Sequence, residues 1–223
     1  MPLQRVFIPN QRVTDISPLA GSPCRDLVIG GNPVDSLDCL DGVPLDRLVA
    51  GRTLVNSLAP LRNGRMKALD VSRTAIVRLD GLEGHPLTDL WVGGSAVPDL
   101  APIAGAPIRN LGISHTPVVR LDALAGMALR TLYMDHSRVA DLSPLAGAPL
   151  RYLNLAFTGV TDLDPLAGMP IEELVITGCA IQDVSPIASC PLRRLIYGPD
   201  VPKGLDLLPS TCAQIYRARS PNR

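Results

Sequence analysis

His115 and His136 stand 21 residues apart, and Asp135 adjoins the second. Two imidazoles and a carboxylate are donor types that a transition-metal site uses, where three or four ligands must converge. The same interval orders the hydroxyl residues. Thr53, Thr74, Ser95, Thr116, Ser137 and Thr158 follow one another at steps of 21, with Asn32 before them and Cys179 and Asp200 after. A serine, threonine or cysteine nucleophile needs a base and a group that orients the base. Neither is evident around any of these residues. A polar residue returning at a fixed step is read instead as a structural ladder, placed where the chain turns away from a strand and backbone groups need partners. The five cysteines, Cys24, Cys39, Cys179, Cys190 and Cys212, follow neither disulfide nor zinc spacing. They point to a reducing, cytoplasmic setting.

The elements that must position these groups come from the same step. Val13, Val34, Val55, Ile76, Val97, Val118, Val139, Val160 and Ile181 recur without insertion. A short unit repeated in register means a stacked solenoid. In each unit a leucine (Leu27, Leu48, Leu69 and so on to Leu195) is followed two residues later by a second apolar side chain, Ile29 through Tyr197. Apolar residues two apart with variable residues between them predict a short strand with one buried face. Val6 and Ile8 begin a further strand in the same slots. The other half of the unit reads Ser-Pro-Leu-Ala-Gly at 17–21 and 143–147 and Asp-Pro-Leu-Ala-Gly at 164–168. Serine or aspartate there is expected to cap a turn, proline to open it, and glycine to allow the exit. Five residues make about one turn, so a 3₁₀ or single α-turn is expected.

Leu150-x-x-Leu153-x-Leu155-x-x-Thr158 followed by Asp162-Leu163-Asp164-Pro165-Leu166 resembles the leucine-rich repeat family, in its bacterial, internalin-like branch. The resemblance covers roughly residues 3 to 200. It implies an α/β solenoid: a curved array with a parallel β-sheet of about ten strands on the concave face and single helical or 3₁₀ turns on the convex side. It also implies binding of a protein partner through the concave face. The chain departs from the family in its mostly Thr and Ser ladder, where asparagine is usual, and in a unit one residue shorter. The domain expectation is a single solenoid over 1–200, with nine full repeats from Val13 after an N-terminal half repeat. A short cap and frayed basic tail follow over 201–223, after a one-residue slip of register at Val201.

The non-leucine positions of each strand would face outward. They collect Trp91, Tyr133, Tyr152 and Phe157 out of a chain with only one Trp, two Phe and four Tyr. With strands about 4.8 Å apart, Trp91, His115, Tyr133, His136, Tyr152 and Phe157 would gather across about 15 to 20 Å. Asp89, Asn110, Asp135 and Asn154 would rim them. Aromatic side chains are common anchors of protein interfaces, although they also pack with one another across strands. Arg47, Arg52 and Arg73 stand beside this patch either as a basic surface or as a solvated face. No metal or other cofactor is expected, because strand alternation would turn Asp135 and His136 in different directions.

Lys plus Arg and Asp plus Glu both number 21, which gives no overall charge to attract nucleic acid. The start has no secretory pattern, and no apolar run is long enough to span a membrane. The arginine-dominated basic set, with abundant Ala, Gly and Pro, fits a GC-rich bacterial genome. The resulting expectation is a non-enzymatic, cytoplasmic scaffold docking one protein on its concave face. An assembly or regulatory subunit using its edges and convex side is the alternative, and an enzyme a remote one. The uncovered first strand offers an edge for self-association.

Overall fold

Each repeat leucine sits at the centre of a three-residue strand, and its burial is what holds the strand in place. Leu27, Leu48, Leu90, Leu132 and Leu153 are wholly buried, each contributing about 1.5–3 kcal/mol of apolar burial. The computed structural model describes residues 3–200, 202–212 and 214–217. The chain divides into two units, Met1–Ile108 and Arg109–Arg223.

The first unit carries β1 (Arg5–Phe7), β2 (Asp26–Val28), β3 (Arg47–Val49), β4 (Ala68–Asp70) and β5 (Asp89–Trp91). They pair in parallel and in chain order. Partners are 21 residues apart, as in Leu27↔Leu48 and Leu48↔Leu69. The second unit carries β6 (Asn110–Gly112), β7 (Thr131–Tyr133), β8 (Tyr152–Asn154), β9 (Glu173–Val175), β10 (Arg194–Tyr197) and β11 (Gln214–Arg217). These also pair in parallel and in order. Because register equals repeat, every slot of the sequence becomes a row of side chains across strands.

In every repeat but the one between β4 and β5 the turn opposite the strand is 3₁₀, as the five-residue segments predict, with Leu61 and Ile103 in the first unit and Leu145 and Leu166 in the second pointing into the core. The expected cap differs. Ser17, Ser143 and Asp164 do not cap their turns; their N–H groups donate to the carboxylates of Asp15, Asp141 and Asp162 two residues earlier. The aspartate of each of these Asp-x-x-Pro segments therefore forms an Asx turn that admits the chain to the 3₁₀ segment.

The ladder closes turns at its threonines, whereas the hydroxyls of Ser95 and Ser137 are buried with no hydrogen-bond partner among the described residues. Thr53, Thr74, Thr116 and Thr158 donate to the carbonyl three residues back at 2.6–2.7 Å. Asn32 donates to Ile29 O and, in the preceding repeat, to Ile8 O, and the Cys179 thiol donates to Leu155 O of the preceding repeat.

The expected cap segment has secondary structure of its own. After the slip at Val201 the chain forms a 3₁₀ turn at Leu205–Leu207 and then an eleventh strand, with Ile215 opposite Leu195 and a step of 20. Ile215 supplies the repeat's apolar slot, so the segment closes onto β10. Of the expected frayed tail, residues 218–223 lie outside the described residues.

Candidate functional site

Three residues beyond each of β1 to β9 the backbone enters the left-handed region. Glycine holds this slot at Gly31, Gly94 and Gly178, with φ of 73°, 72° and 74°. Elsewhere the same conformation is imposed on larger residues: Asn10, Arg52, Arg73, His115, His136 and Phe157, with φ between 55° and 58°. For an L-residue the left-handed well costs about 1–2 kcal/mol, and for a bulky one such as phenylalanine it is an outlier.

The left-handed turn aims each side chain of this slot along the stack, over the next repeat. In the second unit the rings of His115 and His136 stack at 4.3 Å between centroids and 12° between planes. His136 and Phe157 stack at 4.6 Å and 15°. Phe157 in turn covers the space that a Cβ on Gly178 would need. The result is a column of three exposed rings ending on a glycine. On the strands beside it, Tyr133 of β7 and Tyr152 of β8 pack at 4.6 Å. Burial, with Tyr133 as neighbour, pushes the Tyr152 phenol up to about 12.

Asp135 sits under this column. Its Oδ1 accepts hydrogen bonds from Ser114 Oγ at 2.6 Å and Asn154 Nδ2 at 3.0 Å. Its Oδ2 lies 3.7 Å from His115 Nε2. One donor atom from each of His115, Asp135 and His136 lies within 4.8 Å of the others. The sequence expectation that Asp135 and His136 diverge is therefore overturned. Alternation holds only in extended backbone, and the left-handed turn at His136 brings its ring back over the carboxylate.

The first unit builds the same slot differently. Arg52 and Arg73 are exposed, and the stem of Arg73 lies across Gly94. Among the described residues neither forms an ion pair, whereas Arg47 pairs with Asp26 at 3.2 Å. Asp89 and Trp91 lie half-buried on β5, with Asp89 accepting from Thr88 Oγ1. Of the predicted site residues, the structure thus brings His115, Tyr133, His136, Tyr152, Asn154 and Phe157 together on the second unit. Arg52, Arg73, Asp89 and Trp91 belong to the first. Asn154 orients a carboxylate, where the sequence placed it at the rim.

Two contributors escaped the sequence reading. Ser114 shares the slot of Asp135 one repeat earlier, and that 21-residue step was a readable signal. His85 is buried in the first unit, in a repeat whose Gly-Leu-Glu-Gly segment forms no 3₁₀ turn. Its Nδ1 accepts from Met66 N and its Nε2–H donates to Leu61 O, so the ring is held neutral. Burial pushes its pKa down.

Short parallel strands at a 21-residue step, left-handed exits and opposing 3₁₀ turns define a leucine-rich repeat fold. A solved leucine-rich repeat domain, that of APL1B, aligns over 98% of this chain and 65% of its own, at TM-score 0.58 and 13% identity. Among solved structures of that fold the chain is similar to internalins. An internalin of Listeria monocytogenes, InlF, matches over 96% of this chain and 67% of its own length, at TM-score 0.84 and 20% identity. Internalin C2 of the same organism matches over 81% and 83%, at TM-score 0.72 and 28% identity. No family model and no curated protein matches the sequence.

Proposed function

We propose that this protein is a non-enzymatic scaffold that docks one protein partner on the strand face of its second unit. The internalin-like repeat supports an interaction scaffold in general. The column of His115, His136 and Phe157 supports the particular face. Three consecutive repeats accept left-handed strain where three others in the chain use glycine, and stacking returns only about 0.5–1.5 kcal/mol per pair. The rings are exposed, and the core does not depend on them. Strain held at exposed aromatic side chains is characteristic of a functional surface. Tyr133 and Tyr152 extend that surface. Balanced charge favours a protein partner over nucleic acid. The five free thiols favour a reducing compartment such as a bacterial cytoplasm.

The test begins with the wild-type chain as bait in native extract, the retained protein identified by mass spectrometry and its affinity measured by calorimetry. The double variant Tyr133→Ala/Phe157→Gly should bind that partner at least tenfold more weakly. Trp91→Ala, measured in parallel, reports whether the first unit takes part. Unchanged affinity in a double variant with wild-type circular dichroism would overturn the assignment of the face.

A further inference from the structure

We propose that His115, Asp135 and His136 bind a divalent transition-metal ion of the imidazole-preferring class, for which Zn²⁺ is the reference. Two imidazoles and one carboxylate suit such an ion and leave a fourth position open. The carboxylate is already oriented. Ser114 and Asn154 both donate to Oδ1, which directs Oδ2 toward His115 Nε2, 3.7 Å away. Outer hydrogen bonds of this kind fix the ligands of metal sites. The Asp135 side chain is 19% exposed and that of His115 57%, so a held carboxylate faces rings that are free to turn.

The donor atoms lie within 4.8 Å of one another, whereas tetrahedral ligands at about 2.1 Å from the ion stand about 3.4 Å apart. A metal lies in the plane of each imidazole it binds. The nearly parallel rings of His115 and His136 cannot both meet that condition as stacked. Binding therefore turns at least one ring out of the column, a rotation that exposed side chains make in picoseconds to nanoseconds. The first unit lacks this donor set: the positions that match Asp135 there include Gly30, Gly51 and Ser72.

The site shares residues with the proposed docking face but is tested without any partner, so the two readings fail separately. Untagged full chain is titrated with Zn²⁺ by calorimetry and with Co²⁺ by visible absorption. One equivalent should bind, with tetrahedral Co²⁺ bands and no thiolate charge-transfer band. His115→Asn, His136→Asn and Asp135→Asn should each weaken binding at least tenfold. Asparagine tolerates the left-handed slot, so the two histidine variants keep the fold, as circular dichroism will show. Cys39→Ser and Cys212→Ser should bind as wild type. Less than one equivalent at micromolar concentration, a thiolate band, or unchanged affinity in the three asparagine variants would each overturn the site.

Discussion

The left-handed slot after each of β1 to β9 is one backbone feature put to two uses. In the first unit Asn10 leans over Gly31 and Arg73 over Gly94, so each run of side chains is cut by a glycine. In the second unit His115, His136 and Phe157 follow one another, and a continuous ring column results before Gly178. The φ values hardly differ between the units. The repeat thus dictates the direction in which a side chain points, and the residue in the slot decides whether a charged fringe or a packed surface forms there.

If the difference lies on the face alone, the cores must respond alike. Leu69→Ala in the first unit and Leu132→Ala in the second, both fully buried, should each lose about 2–5 kcal/mol in chemical denaturation. A loss confined to one unit would break the comparison. The next largest effect belongs to His85, a feature of the first unit only. Its folded pKa is lowered by burial, so the unfolded chain takes up a proton that the native chain refuses. Its contribution is complete above the unfolded imidazole value of about 6.5 and is lost as pH falls below it. Urea midpoints should decline across that window, and His85→Gln should flatten the decline; an unaltered slope would refute the assignment.

Smaller effects test the slot itself. Phe157→Gly should be more stable than Phe157→Ala by about 1 kcal/mol, since alanine keeps the strain and glycine removes it. Arg73→Gly should exceed Arg73→Ala by a similar margin, as read by thermal unfolding. Unequal gaps would mean that the two units do not share the backbone. The smallest effect is spectroscopic. Tyr152 should ionise near 12 in an ultraviolet titration, and Tyr133→Phe should lower it only in part, since phenylalanine keeps the burial and removes only the neighbouring phenol.

Much of the fold was legible because it rests on local, repeated signals. The strand leucines, the 3₁₀ turns and the ladder all follow from slots that return every 21 residues. The Asx turns were misassigned by two residues because serine and aspartate are both good acceptors, and only hydrogen-bond geometry chooses between them. The eleventh strand was not legible within the expected cap because one missing residue breaks the pattern, although Ile215 stands opposite Leu195. Tyr133, Tyr152, His115, His136 and Phe157 were legible as neighbours through their shared slots. The place of Asp135 among them was not, because alternation is a rule for extended chain and the backbone there is no longer extended.

Sequence alone therefore determined the repeat, the parallel register and the rows of side chains, since a strict period leaves each strand a single way to bury its leucine. Only the tertiary structure decided where the row after the strand points. That direction depends on φ, which glycine reveals at Gly31, Gly94 and Gly178 and which histidine and phenylalanine conceal until packing forces it upon them.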